Sequence, residues 1–227
     1  MRNNVHKCCS FTVYLNVRVN KSNTVSLFIK SLLVAIILLV SSVDRFAQSG
    51  LRIGAKAPTL SQKVEDYSGR SITLSEAAQR NGLIVLFSCN TCPWVARWEE
   101  RYVEASNYGK VNQIGMIALN SNERIRERGE SMEDMKKRAN KKGYNFYYAL
   151  DKDNIIADAF GASDTPQVFL FNQNMELVYK GAIDDSPNSA NGVKENYLRA
   201  AIDEMLSGKK VAKASTNPVG CPIKRKE

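Results

Sequence analysis

The sequence predicts an α/β domain with a central mixed sheet flanked by helices, and three observations carry that expectation. Short apolar runs alternate with segments whose apolar residues recur at helical spacing, which implies parallel strands joined by helical crossovers. Near the end of the chain, two strand-like runs are separated only by the polar turn Asn172-Gln-Asn-Met, which adds an antiparallel hairpin. Hydrophobic residues make up 44% of the chain and charged residues 24%, enough apolar side chain for one full core.

The elements follow in order. Residues Gly50 to Leu74 supply an extra N-terminal hairpin around Tyr67-Ser-Gly-Arg70. Leu83 to Phe87 (LIVLF) is an unbroken apolar run suited to a strand covered on both faces. Trp94, Trp98 and Tyr102, with Val95 and Val103 beside them, recur at helical spacing and predict a helix from about Cys92 to Tyr108. Gln113 to Leu119 is the next strand, and Ser131-Met-Glu-Asp134 is a capping box opening a helix that ends before Gly143. Phe146 to Leu150 leads into a short helix closed by Gly161. The hairpin then pairs Gln167 to Phe171 with Glu176 to Lys180. Tyr197, Leu198, Ala201, Ile202, Met205 and Leu206 mark one face of a closing helix.

Two terminal segments frame this domain, expected over residues 50–207. Residues 1–47 read as a leader: scattered bases, the apolar centre Ser31 to Val40, and a small residue for cleavage near Ala47. The alternative is an uncleaved membrane anchor over Val25 to Val43, although the apolar centre falls short of the roughly 20 residues that span a bilayer. Export, with a periplasmic destination, is the expectation, and a membrane partner enters only if the leader stays in place. Residues 208–227 read as a polar, basic tail without its own core, with Lys224 to Lys226 as a solvated end. The formal charge of +9 falls when the leader's six bases and one acid are removed, leaving 26 bases against 22 acids. No basic stripe interleaved with aromatics remains, so no nucleic-acid partner is expected.

The only histidine, His6, lies in the leader. Histidine-assisted nucleophiles and histidine-built metal sites are thereby excluded from the mature chain, leaving thiol as the reactive group at neutral pH. Three cysteines remain there: Cys89, Cys92 and Cys221. Cys89-Asn-Thr-Cys92 follows a buried strand and opens a helix, where the positive end of the helix dipole favours thiolate. Cys89 is expected to attack and Cys92, one turn along, to resolve the mixed disulfide. Asn90 and Thr91 line this loop, and Pro93 suits the first helical turn. A structural disulfide is the bland alternative, but a bridge across so small a loop stabilises little. Copper(I) held by the two thiolates is a further, non-enzymatic alternative; no cofactor or metal is otherwise expected.

Thr165-Pro166 directly precedes the strand Gln167 to Phe171, and at this point in the element order the sequence resembles the thioredoxin superfamily. The resemblance implies a thioredoxin-like fold, a cis Pro166 lying against the CxxC, and contact of Thr165 with an incoming partner. Gly54-Ala-Lys-Ala-Pro58, Phe87-Ser-Cys-Asn-Thr-Cys-Pro-Trp94, Ala118-Leu-Asn-Ser-Asn122, Thr165-Pro-Gln-Val-Phe169, Tyr179-Lys-Gly-Ala-Ile-Asp-Asp185 and Gly220-Cys-Pro-Ile-Lys224 are similar to the peroxiredoxin-like, redoxin-domain (AhpC/TSA-related) family. That resemblance implies a thiol–disulfide oxidoreductase with Thr165, Pro166, Asn90, Thr91 and Trp94 facing the partner. Its partners would be protein or small-molecule disulfides and thiols, together with a redox partner that supplies or accepts electrons. A thiol peroxidase using Cys92 is the alternative, but the position three residues before it, threonine or serine in peroxiredoxins, is Cys89. The buried acid that thioredoxin carries six residues before its first cysteine is Leu83 here, so Glu99, Asp184 and Asp185 are the candidates to take a proton from Cys92. Cys221 is either a third redox thiol on a folded-back tail or an incidental one.

Overall fold

The computed structural model describes residues 50–226, so the leader at residues 1–47 lies outside the described residues. A seven-stranded sheet runs in the order β2-β1-β5-β4-β3-β7-β8. Its parallel centre is β3 (Gly82–Ser88), β4 (Ile114–Asn120) and β5 (Tyr147–Leu150). On one side of this centre β5 is joined by the antiparallel hairpin of β1 (Lys63–Asp66) and β2 (Ser71–Thr73), the extra hairpin expected from the sequence. On the other side β3 pairs antiparallel with β7 (Gln167–Asn172), and β7 with β8 (Leu177–Gly181). The remaining strands, β6 (Asp164–Thr165) and β9 (Cys221–Pro222), form a small sheet of their own.

Strand β3 shows why an unbroken apolar run is needed. Successive side chains leave opposite faces of a strand. Leu83, Val85 and Phe87 join one cluster with Leu119, Phe160 and Phe169, while Ile84 and Leu86 join the other with Val95, Trp98 and Tyr102. Every position is buried, so a polar residue anywhere along the run would sit in one core or the other.

The helices are α1 (Leu74–Ala77), α2 (Pro93–Val111), α3 (Met132–Lys142), α4 (Ile155–Phe160) and α5 (Tyr197–Leu206). Cys92 is the N-cap of α2, and Pro93 occupies its first turn, where a missing N–H costs nothing. The capping box expected at Ser131 is present, with Ser131 and Asp134 bonding each other's backbone amides, and α3 ends on a left-handed Gly143. Among the described residues no helix is long and apolar enough to cross a membrane.

Two acids of α2 and its neighbourhood are buried and paired. Glu99 receives Arg138, Tyr144 and Lys142. Burial alone would raise its carboxyl, but those hydrogen bonds outweigh burial and hold it below the usual carboxylate range. Asp184, just beyond β8, accepts Arg101 Nη1 at 2.8 and 2.7 Å, and the Arg101 guanidinium also lies 4.2 Å from the Trp98 ring centroid.

The segment after α5 is the polar tail expected over residues 208–227. It has no core of its own, yet it is bound along its length. Lys180 N–H donates to Ala214, Thr216 N–H donates back to Lys180, and Val211 and Ile223 are buried. Gly181 is required at this contact, since a Cβ there would stand 2.1 Å from Thr216 Oγ1. The expected solvated end is bound too: Lys224 N–H donates to Asn122, Arg225 pairs with Asp158, and Lys226 N–H donates to Asn154.

Removing one partner of a buried ion pair strands the other charge, at a cost of about 3–5 kcal/mol. Asp184→Ala should therefore lower the urea unfolding free energy by an amount in that range. A loss below about 1 kcal/mol would mean that Arg101 finds another acceptor.

Candidate active site

The site forms where β3 meets α2. The chain leaves the sheet at Ser88, passes through Cys89, Asn90 and Thr91, and enters the helix at Cys92. This places the Cys92 sulfur at the helix N-terminus, where unpaired N–H groups favour a thiolate or a departing sulfur.

The disulfide does not follow the CxxC spacing. Cys92 is bonded to Cys221, 129 residues away, and Cys89 is a free, buried thiol. The tail, not the loop, supplies the partner. Copper(I) between two thiolates of the loop would thus require the Cys92–Cys221 bond to be reduced first.

Thr165 sits among the three cysteines of the described residues. Its peptide bond to Pro166 is cis, as the superfamily resemblance implies. Its backbone pairs with Cys221 across β6 and β9, its hydroxyl lies 3.4 Å from the Cys221 carbonyl and 3.2 Å from the Cys89 sulfur, and its carbonyl lies 3.5 Å from the Cys92 sulfur. A hydroxyl has one proton to give. That proton serves either the Cys221 carbonyl or the Cys89 sulfur, and on the sulfur it favours the Cys89 anion, against the larger effect of burial. Gly220 permits the close approach: a Cβ there would stand 2.2 Å from the Thr165 carbonyl oxygen.

The expected partner-facing residues are therefore divided. Thr165 is fully buried beneath the tail, and Trp94 is partly exposed with Arg97 stacked on its ring at 4.7 Å. Asn90 is buried, with its carboxamide fixed between Gly129 and Tyr148, while Thr91 stays at the surface.

The acid at this loop is Glu130, which the sequence reading did not single out. Its carboxylate accepts Asn90 N–H at 2.7 Å, Thr91 N–H at 3.0 Å and Thr91 Oγ1 at 2.7 Å. Asn120 Nδ2 at 2.7 Å and Asn122 Nδ2 at 3.3 Å complete five donors around a fully buried group. The candidates Glu99, Asp184 and Asp185 are engaged elsewhere, Asp185 accepting the Lys194 amide while its own N–H donates to the Glu195 carbonyl, and the other two in their ion pairs. The one trace of this arrangement in the sequence is the segment Ala118 to Asn122, whose two asparagines prove to be Glu130 ligands.

Cys89 differs most from expectation. It is 1% exposed, and burial first, then the charge of Glu130, push its thiol from 9.0 up to about 11. At neutral pH it is a thiol rather than an attacking thiolate. A cleft of about 500 Å³ elsewhere on the surface, lined by Leu177, Met205, Val211 and their neighbours, contains none of the three cysteines.

Residues 53–180 match the profile of the AhpC/TSA family, a span that includes Cys89, Cys92, Glu130 and the cis Pro166. The chain belongs to the AhpC/TSA family. It is thus a redoxin, an oxidoreductase of the thioredoxin superfamily, and its fold is thioredoxin-like. Among solved structures, an uncharacterized conserved protein from Geobacillus kaustophilus is 30% identical, with a TM-score of 0.71 over 77% of this chain and 93% of that one. A hypothetical protein from Sinorhizobium meliloti 1021 is also 30% identical, with a TM-score of 0.71 over 78% of this chain and 97% of its own. Peroxidoxin BcpB from Mycobacterium tuberculosis shares the fold at 11% identity, with a TM-score of 0.50 over 69% and 95% of the two chains. No curated protein matches this sequence. Cys221 lies beyond the residues that the AhpC/TSA profile covers.

The raised Cys89 thiol has a signed consequence for stability. In this redoxin the folded state keeps a proton that the unfolded state gives up near pH 9.0, so the contribution is complete below that pH and lost as pH rises through about 11. Cys89→Ser should remove a loss on the order of 2 kcal/mol between pH 8 and 11, read as the difference between the urea unfolding energies of wild type and variant. Equal pH dependence in the two proteins would show that Cys89 titrates normally.

Proposed function

We propose that the chain is an exported thiol–disulfide oxidoreductase in which Cys92 is the shared sulfur, able to pair with Cys221 or with Cys89. The observation that carries this reading is the Cys92–Cys221 bond at the N-terminus of α2 with a second, unused thiol three residues away on the same loop. Export rests on the leader read from the sequence, and the periplasm is its expected destination.

The exchange chemistry follows from exposure. Cys221 is the more exposed end of the disulfide, so a partner thiolate attacks its sulfur. The partner–Cys221 bond forms, the Cys92–Cys221 bond breaks, and Cys92 leaves as a thiolate stabilised by the helix N-terminus. A second partner thiol then releases Cys221, so the partner is oxidised by two electrons and the chain is reduced by two. In the reverse direction Cys92 attacks a partner disulfide, and Cys221 or Cys89 resolves the mixed disulfide. The raised Cys89 thiol and the helix N-terminus at Cys92 thereby move the attacking role from Cys89, its sequence-based holder, to Cys92. Displacement of the tail uncovers Thr165 and leaves it, with Pro166, Asn90, Thr91 and Trp94, to face an extended partner segment.

The pairing of Cys92 with a remote cysteine favours one other reading, a thiol peroxidase. There Cys92 thiolate attacks a peroxide, becoming a sulfenic acid as water or alcohol leaves. Cys221 then condenses with the sulfenic acid to form the disulfide and release a second water.

Turnover separates the two. With dithiothreitol as reductant and insulin disulfides as substrate, the wild-type chain should catalyse reduction, Cys92→Ser should lose at least 100-fold, and the double variant Cys89→Ser with Cys221→Ser, which lacks both resolving thiols, should accumulate a mixed disulfide at Cys92. Rapid peroxide consumption by Cys89→Ser, with no insulin reduction by wild type, would establish the peroxidase instead.

A further inference from the structure

Two hydrogen-bond paths leave the Glu130 carboxylate, and they end on the two competitors for Cys92. One path is direct: the amides of Asn90 and Thr91, immediately after Cys89, both donate to it. The other passes through Asn122, whose Nδ2 donates to Glu130 while its Oδ1 accepts the Lys224 amide at 2.8 Å. Lys224 stands three residues beyond Cys221, and its carbonyl accepts Arg124 N–H at 2.9 Å, so the end of the tail is fixed on both sides of one peptide. The loop bearing Cys89 and the tail bearing Cys221 are therefore anchored to one buried acid.

We propose that Glu130, acting through Asn122, is the positioning residue that selects the partner of Cys92, docking the tail so that Cys221 holds the disulfide while Cys89 stays in reserve. This inference rests on the oxidoreductase reading of the site.

The selection concerns one internal exchange. Cys89 thiolate attacks the Cys92 sulfur, the Cys89–Cys92 bond forms, the Cys92–Cys221 bond breaks, and Cys221 leaves as a thiolate that takes up the proton Cys89 released. No outside oxidant is consumed. Glu130 opposes this exchange in three ways. It engages the Asn90 and Thr91 amides, which are then not free to stabilise an anion at Cys89. It places a negative charge beside the forming thiolate, consistent with the raised Cys89 thiol. Through Asn122 it holds the tail that Cys221 would have to carry away. Gly129, whose Cβ would meet the Thr91 methyl at 2.9 Å, lets the Glu130 segment approach the loop this closely.

The test is the ratio of the two disulfides in the full chain. Wild type, Glu130→Gln and Asn122→Ala are equilibrated in a glutathione redox buffer at pH 7, quenched with acid, digested, and mapped by mass spectrometry. In wild type the Cys92–Cys221 peptide should predominate. Both variants should raise the Cys89–Cys92 share relative to Cys92–Cys221 by at least tenfold while keeping the wild-type far-ultraviolet circular dichroism. Asn122→Ala removes no charge and leaves Glu130 four donors, so it keeps the question answerable if Glu130→Gln fails to fold. A merely structural role would lower the melting temperature and leave the ratio in place, so a ratio within twofold of wild type in folded Asn122→Ala overturns the inference. Failure of wild type to exchange with glutathione at all would instead sink the oxidoreductase reading.

Discussion

The pairing of Thr165 with Cys221 is the constraint on which the arrangement of the site depends. It is a two-residue ladder, yet it brings a segment from the end of the chain onto the residue preceding the cis proline and within bonding reach of Cys92. Short edge ladders contribute little alone, and a disulfide closing a loop of more than a hundred residues adds several kcal/mol by restricting the unfolded chain. The covalent bond and the ladder support each other: reduction of the bond leaves the tail held by Gly220 packing, the Lys224 amide and the Ile223 side chain.

Surroundings decide how Cys89 and Cys92 differ, since both are buried, and only Cys221 is part-exposed. Cys89 and Cys92 lie on one loop and belong to one apolar cluster, but they meet different surroundings. Cys92 is the N-cap of a long helix with its sulfur bonded to Cys221, whereas the Cys89 sulfur meets a hydroxyl, a core and a neighbouring carboxylate. A helix terminus favours the anion, and an apolar pocket beside a negative charge disfavours it. The same three-residue spacing therefore puts one sulfur at a helix terminus and the other in a pocket that keeps its proton.

The fold was largely legible because its signals are local. The LIVLF run, the Ser131 capping box, the glycines closing α3 and α4 and the polar turn between β7 and β8 each act over a few residues, and each element stands where its signal placed it. The loop and the helix N-terminus could likewise be placed from motif and order, and the cis proline from the superfamily resemblance. The disulfide could not, because nothing near Cys221 states that its segment returns across the molecule to β6. Glu130 was hidden for the same reason: in sequence it is one acid in a charged stretch beside a capping box, and only the three-dimensional convergence of Asn90, Thr91, Asn120 and Asn122 distinguishes it. The tail misled through composition, since lysines and prolines suggest a solvated end while backbone amides do the binding.

Every functional statement made for this redoxin turns on which cysteine Cys92 holds when the protein is oxidised. Non-reducing peptide mapping of the air-oxidised wild-type chain, with free thiols alkylated in denaturant before digestion, measures this directly. A peptide joining Cys92 to Cys221, with alkylated Cys89 recovered in equal amount, is the expected result. Recovery of the Cys89–Cys92 bridge with alkylated Cys221 would contradict it.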